Sequence, residues 1–132
     1  MGEVLVRPFC DADAPALRRL AGELVAAAYA VPQDPGRDVV FVAEVEGHPA
    51  GYMAVREDGR SLVIDQLVVA PADQGRHVGH RLLDWAEGYG TSRGLERVRV
   101  PADGSDRKAR EFYVRRGYLD AGRALERELA HM

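Results

Sequence analysis

The sequence predicts a three-layer α/β protein of the α+β type, with a mixed, mostly antiparallel central sheet and one splayed pair of parallel strands. Three observations carry this prediction. Ser61 to Val69 is almost continuously apolar and rich in β-branched residues, which is typical of a central strand buried on both faces. A helical stripe of apolar residues then follows, formed by Val78, Leu82, Trp85, Ala86 and Tyr89. Before the central strand, Val39 to Arg56 has the pattern of a β-hairpin.

The chain begins with a predicted strand and helix. Glu3 to Phe9 is a short strand that Pro8 ends, and Asp11 or Asp13 can cap the helix that follows. Leucines and alanines repeat with helical period in that helix as far as Ala28, so we expect one face of it to lie on the core. The next stretch, from Ala30 to Asp38, contains two prolines and a glycine and is predicted as a loop.

Three antiparallel strands are predicted next, over Val39 to Val45, Ala50 to Arg56 and the central strand itself. The first two flank a turn at Glu46 to Pro49, which makes His48 a turn residue rather than a catalyst. A second tight turn, from Glu57 to Arg60, leads into the central strand.

The second half of the chain contributes the parallel pair. Gly94 ends the helix behind the central strand, and Leu95 to Val100 is predicted as a strand parallel to the central one, where a cleft should open. A further helix is expected from about Asp106 to Arg116. Tyr118 to Leu129 then supplies one or two final strands, with Leu125 and Leu129 facing inward.

Composition and charge restrict the class of protein. A chain of 132 residues predicts one domain over residues 1–132, and 46% apolar with 30% charged residues is ordinary for a globular protein. A formal net charge of -3 argues against sequence-independent nucleic-acid binding. The single cysteine, Cys10, fits a reducing compartment, and without a membrane-length apolar run or a leader-like start we expect a cytoplasmic protein.

The segment between the central strand and its helix has the composition of an anion-binding turn. The first N–H groups of a helix have no partner within the helix and lie at the positive end of its dipole. Gly75 would let a ligand approach the backbone, and Arg76, His77, His80 and Arg81 would add positive charge or hydrogen-bond donors. From these residues alone, a phosphate site and an ordinary strand-to-helix turn both remain open.

Several motifs occur in order over nearly the whole chain: Leu67 to Pro71 at the end of the central strand, Gln74 to Leu83 in the loop and helix behind it, and Ala109 to Tyr118 in the last predicted helix and just after it. They resemble the L-x-V-x-P strand end, the Q/R-x-x-G-x-G/A loop and helix, and the A-x-x-F-Y-x-x-x-G-F element of the GCN5-related N-acetyltransferase (GNAT) family. The opening, with Val6-Arg7-Pro8 followed by Asp13 and Leu17, is similar to that family's usual first strand and helix.

This resemblance implies an acetyl-coenzyme A-dependent N-acetyltransferase that uses no metal and transfers acetyl directly to a primary amine in a ternary complex. The backbone groups of Leu67, Val68 and Val69 would pair with the pantetheine arm and the thioester carbonyl. Tyr113 would return a proton to the leaving thiolate, since a phenol is protonated at neutral pH. The other residues that the resemblance assigns to the cofactor are Gln74, Gly75, Arg76, His77, Val78, Gly79, His80, Asp106 and Ala109.

Three positions depart from the family pattern. His77 occupies a position where glycine is usual, so either the position does not require a positive φ here or the loop is distorted and binds the cofactor less well. Asp106 occupies a position where asparagine is common, which replaces a donor with an acceptor. Val63 occupies the position of the base glutamate in histone-modifying members, so a histone-type base is not expected.

The group that takes the proton from the amine is therefore not given by the motifs. Asp65 is the best candidate, because a charge within an apolar strand is costly unless it is paired or functional. An ion pair with one of the many arginines is an equally good explanation. Glu44, Glu57 and Asp58 are the other carboxylates near the predicted sheet.

Two other functions stay open from the sequence. The departures at His77 and Asp106 are compatible with a non-catalytic, regulatory module that binds an acyl-coenzyme A. A toxin-like acetyltransferase acting on aminoacyl-tRNA is disfavoured by the acidic charge balance. We expect a small-molecule or peptide amine as substrate, no nucleic-acid or membrane partner, and a homodimer through the C-terminal strands as one possible assembly.

Overall fold

The computed structural model describes residues 3–23, 39–73, 75, 77–101 and 107–129. In chain order, the strands and helices are β1 (Val4–Pro8), α1 (Ala14–Glu23), β2 (Val39–Val45), β3 (His48–Asp58), β4 (Ser61–Val69), α2 (Val78–Ser92), β5 (Arg97–Pro101), α3 (Arg107–Arg115), β6 (Leu119–Asp120) and β7 (Ala124–Glu128). Short 3₁₀ turns cover Asp11–Asp13 and Pro71–Asp73. The predicted end of the first helix and the predicted loop over residues 30–38 lie outside the described residues.

The strands form a mixed seven-stranded sheet in the order β1-β2-β3-β4-β5-β7-β6. This confirms the predicted α/β class and its mostly antiparallel sheet. The parallel pair is also confirmed: in the described chain, residues 61–63 of β4 are in register with residues 97–99 of β5. The strand β4 then continues to Val69. No helix in the described ranges is both long and apolar enough to span a membrane.

The chain divides into two compact units, and β3 and β4 contribute residues to both. The first unit contains Met1–Val55 and Gln66–Trp85. Its core forms where the apolar face of α1 covers one face of the strands. Buried members of this core are Leu17, Leu20, Val42, Tyr52, Val68 and Ala70, with Phe9 and Val40 packed against them.

A partly buried group of ion pairs stabilises the N-terminal strand of the first unit. The Arg7 guanidinium donates to both carboxylate oxygens of Asp13, at 2.7 and 2.8 Å, and its Nε donates to Glu44 at 2.8 Å. Asp13 also accepts a hydrogen bond from the Cys10 backbone N–H at 2.9 Å. Because Arg7 donates these hydrogen bonds, the pKa of the Asp13 carboxyl is lowered to about 2.

The second unit contains Arg56–Asp65 and Ala86–Met132. Within it, β5 pairs with β4 and β7, and β7 also pairs antiparallel with β6. Leu125 and Leu129 are buried, as predicted. Leu129 packs on α2 so closely that a Cβ added at Gly90 would lie 2.9 Å from its Cδ1 atom.

The hairpin between β2 and β3 is tighter than predicted. Its turn consists of Glu46 and Gly47, which have φ values of 52° and 81°, as a two-residue type I′ turn requires. His48 is consequently the first residue of β3, where it pairs with Val45, so the prediction that it lies in the turn is wrong.

Candidate functional site

The strand, turn and helix predicted as an anion site are present, and the end of β4, the turn and the beginning of α2 lie in the first unit. β4 ends at Val69, the 3₁₀ turn Pro71–Asp73 follows, and α2 begins at Val78. Gly75 and His77 both have positive φ, at 87° and 64°. Two predicted cofactor residues of this loop, Gln74 and Arg76, lie outside the described residues.

The beginning of α2 has the features of an anion-binding helix end. The Arg81 N–H donates to the His77 carbonyl at 3.0 Å, so the N–H groups of Val78 and Gly79 have no carbonyl within the helix to bond. The first turn contains no acidic residue. The rings of His77 and His80 lie with their centroids 5.9 Å apart at this end. A phosphate group would meet backbone donors, the positive end of the helix dipole and imidazole donors here.

The conformation of His77 decides between the two alternatives that the sequence left open. Its φ of 64° is in the left-handed region, so this position does require the conformation that glycine adopts readily. A histidine in that conformation costs about 1–2 kcal/mol of backbone energy. The turn is therefore formed, but with strain at the residue immediately before α2.

Gly51 allows β4 and α2 to lie close to β3. A Cβ atom added at Gly51 would lie 2.6 Å from the Val68 carbonyl oxygen and 3.2 Å from Cγ1 of Val78. Any side chain here would displace the strand segment whose backbone is predicted to hold the pantetheine arm. Along that segment Val68 is buried in the core, whereas Leu67 and Val69 are only partly buried.

In the second unit, the predicted acid Tyr113 belongs to a packed aromatic cluster. It is buried in α3, with its ring centroid 5.2 Å from Phe112 and 5.5 Å from Tyr118, both in edge-to-face geometry. The Tyr118 hydroxyl donates to Glu87 at 2.9 Å. Burial, followed by the charge of Glu87, raises the pKa of Tyr118 well above its usual range. The cluster thus holds the Tyr113 ring in one orientation.

The other two predicted residues of this helical segment differ in how far they are described. Ala109 lies in the first turn of α3 and is partly buried. Asp106 lies outside the described residues, and α3 covers Arg107–Arg115.

Each carboxylate considered as a base contacts an arginine. Asp65 accepts a hydrogen bond from Arg56 Nε at 2.9 Å, which is the ion-pair alternative that the sequence left open. The remaining three pairs are Glu44 with Arg7, Glu57 with Arg93 and Asp58 with Arg99. Within the described residues, no cluster of three or more His, Cys, Asp or Glu side chains is arranged to hold a metal ion.

Sequence reasoning missed two polar contacts in the first unit. His48 Nε2 lies 3.3 Å from both carboxylate oxygens of Asp73, whose side chain is only 7% exposed. The Tyr52 hydroxyl donates to Gln66 Oε1 at 2.8 Å, and burial raises the pKa of Tyr52 to about 12. No local sequence pattern indicates either contact, because each joins residues that are far apart in the chain.

Comparison with known proteins identifies the family of this chain. The sequence model of the acetyltransferase (GNAT) family matches residues 10–118. The chain belongs to this family.

Three relatives illustrate the similarity. An aminoalkylphosphonate N-acetyltransferase of Salmonella typhimurium is 38% identical over 55 residues, which is 42% of this chain and 36% of the relative, so the match spans little more than a third of that protein. The ribosomal-protein-S18-alanine N-acetyltransferase of Escherichia coli has a TM-score of 0.75 at 17% identity, covering 98% of this chain and 96% of that one. The PaiA N-acetyltransferase of Thermoplasma acidophilum, solved with coenzyme A, has a TM-score of 0.77 at 16% identity, covering 98% and 99%.

Proposed function

We propose that the protein transfers an acetyl group from acetyl-coenzyme A to a primary amine of a small molecule or protein, by direct attack in a ternary complex. Membership of the acetyltransferase (GNAT) family is the observation that carries this proposal. The strand, glycine-containing turn and helix N-terminus support it, because they offer backbone donors where a diphosphate would bind.

Acetyl-coenzyme A and the residues of the chain have complementary roles in this reaction. Acetyl-coenzyme A supplies the activated acetyl group. The amine nitrogen forms a bond to the carbonyl carbon and gives up one proton, the carbon–sulfur bond breaks, and the thiolate takes a proton from the Tyr113 hydroxyl. The Tyr113 phenolate regains its proton from solvent, so that in total one proton passes from the amine to the thiol. The backbone of Leu67 to Val69 orients the acyl arm, and the N-terminus of α2 holds the diphosphate.

The proton that the amine releases needs an acceptor. Asp65 remains our candidate, acting through a water molecule, with its ion pair to Arg56 holding the carboxylate in position. The ion pair with Arg56 also explains how a charge is tolerated in β4.

Binding and turnover should be tested separately. We expect isothermal titration calorimetry to detect coenzyme A binding, and thiol release from acetyl-coenzyme A to depend on an added amine. The panel should include aminoalkylphosphonates and peptides with N-terminal alanine, because relatives named for such substrates are similar to this chain. No detectable heat at millimolar coenzyme A would refute the proposal.

Binding without turnover would favour the second function, a regulatory module that binds an acyl-coenzyme A. The strained φ of His77 is the observation that keeps this function under consideration.

Tyr113→Phe tests the proposed acid. Loss of the proton donor should lower kcat about 100-fold or more, with little change in the dissociation constant of coenzyme A. Tyr118→Phe is a matched control, because it removes a hydroxyl from the same aromatic cluster and should leave kcat nearly unchanged. Equal turnover of Tyr113→Phe and wild type would remove Tyr113 from the mechanism.

A further inference from the structure

Three residues at the start of β3 contact the loop between β4 and α2 at its two ends and at Asp73 within it. The Ala70 N–H donates to the Ala50 carbonyl at 2.8 Å, just before the loop. Gly51 lies against Val78, the first residue after it. His48 contacts Asp73, the last residue of the 3₁₀ turn. The beginning of β3 therefore supports this loop through direct contacts.

The contact between His48 and Asp73 differs from the other two because it joins side chains. Asp73 is nearly inaccessible, with 7% of its side chain exposed, whereas the His48 side chain is 50% exposed. A carboxylate removed from water is costly without a hydrogen-bond donor. His48 Nε2, equidistant from both oxygens at 3.3 Å, is the donor that the structure places there.

The residues that follow Asp73 need such a restraint. Gly75 and His77 both have positive φ, and at His77 this conformation is strained, so it persists only where its surroundings fix it. These two residues must keep their conformations so that the N–H groups of Val78 and Gly79 remain available to a ligand. Freedom at Asp73 would let the loop relax out of that arrangement.

We infer that His48 and Asp73 are a positioning pair that fixes the entrance of the cofactor loop, so that His48 sets coenzyme A affinity by acting through Asp73. The inference rests on the proposed function, since it takes this loop as the diphosphate site. It assigns a role to a histidine that carries none in the reaction itself.

The test uses the full chain and coenzyme A as the probe. His48→Ala leaves the Asp73 carboxylate without this donor and should weaken coenzyme A binding about tenfold, while kcat at saturating acetyl-coenzyme A stays unchanged. His48→Gln keeps a side-chain N–H and should restore most of the affinity. In an Asp73→Ala background, which lacks the acceptor of this contact, His48→Ala should have a much smaller effect, as expected for two residues that act together.

Asp120→Ala serves as the matched control for Asp73→Ala, because it removes another paired carboxylate, here the partner of Arg110, and should leave coenzyme A affinity unchanged. Hydrogen exchange of the backbone between Asp73 and Val78, measured without ligand, should be faster in His48→Ala than in wild type.

Two results would overturn the inference: unchanged affinity in His48→Ala, or a loss of kcat and thermal stability with affinity intact. If wild-type protein does not bind coenzyme A, the proposed function fails, and the exchange rates of the free protein still decide whether His48 restrains the loop.

Discussion

Replacing His77 with glycine should stabilise the protein. His77 has a φ of 64° at the residue before α2, and its side chain is exposed. The left-handed conformation costs an L-residue about 1–2 kcal/mol, whereas glycine adopts it without that penalty. Glycine also brings more conformational freedom to the unfolded chain, which lowers the free energy of unfolding by about 0.4–1 kcal/mol. The net gain is the difference between these two effects.

Alanine is the comparison that isolates the backbone. His77→Ala and His77→Gly both remove the imidazole and its contact with His80, but only glycine removes the strain. We expect the glycine variant to be more stable than the alanine variant by about 0.5–1 kcal/mol. For a chain of this size, this corresponds to a difference in melting temperature of about 2–5 °C.

Urea denaturation followed by circular dichroism, together with thermal melts, measures this difference. Both variants should unfold with the slope of the wild-type protein, so that the midpoints report stability directly. An alanine variant that equals or exceeds the glycine variant in stability would show that residue 77 does not hold a positive φ in solution. That result would refute the account of the loop given above.

Two further predictions concern stability elsewhere in the chain. Gly51→Ala should destabilise the protein by about 1–3 kcal/mol in a urea titration, because its Cβ would lie 2.6 Å from the Val68 carbonyl oxygen. The control Gly88→Ala has open space around it in α2 and should stabilise the protein by about 0.5–1 kcal/mol in the same titration. Asp13 should stabilise the fold by about 2 kcal/mol at neutral pH, because its ion pair with Arg7 lowers the carboxyl pKa from 3.8 to about 2. Because the pKa is depressed in the folded state, this contribution is complete above pH 3.8 and is lost as the pH falls through about 2. An Asp13→Asn variant that loses as much stability at pH 2 as at pH 7 would contradict this prediction.

Much of the fold can be predicted from local sequence pattern, because the spacing of apolar residues and the residues that form turns are properties of short segments. The buried strand β4, the helix after it and the parallel partner β5 were all predictable from apolar spacing and glycine positions. The helical stripe was less accurate at Trp85, which is 40% exposed and packs on Phe41 at 5.6 Å. Periodicity gives the direction of a helical face but not how wide an arc the core covers.

The hairpin shows a different limit. Glu46 has a φ of 52°, although glutamate is not a residue that sequence rules place in the left-handed region. The longer turn was therefore predicted, and with it the wrong position for His48. The contact of His48 with Asp73 joins residues 25 positions apart, and such a pairing depends on strand order rather than on local composition.

Residue 77 affects the protein in two separate ways, through its backbone conformation and through its side chain. Glycine would relieve the backbone, but the His77 imidazole is exposed at the end of α2 where we propose that the diphosphate binds, beside His80. A backbone strain present in both the free and the bound protein cancels from the binding free energy. The difference in coenzyme A affinity between histidine and alanine therefore measures the imidazole, and the difference in stability between glycine and alanine measures the backbone. If the wild-type protein binds coenzyme A more tightly than His77→Ala does, and His77→Gly is the most stable of the three, then the imidazole contributes to ligand binding at the expense of stability. The backbone strain at residue 77 is retained because of that contribution.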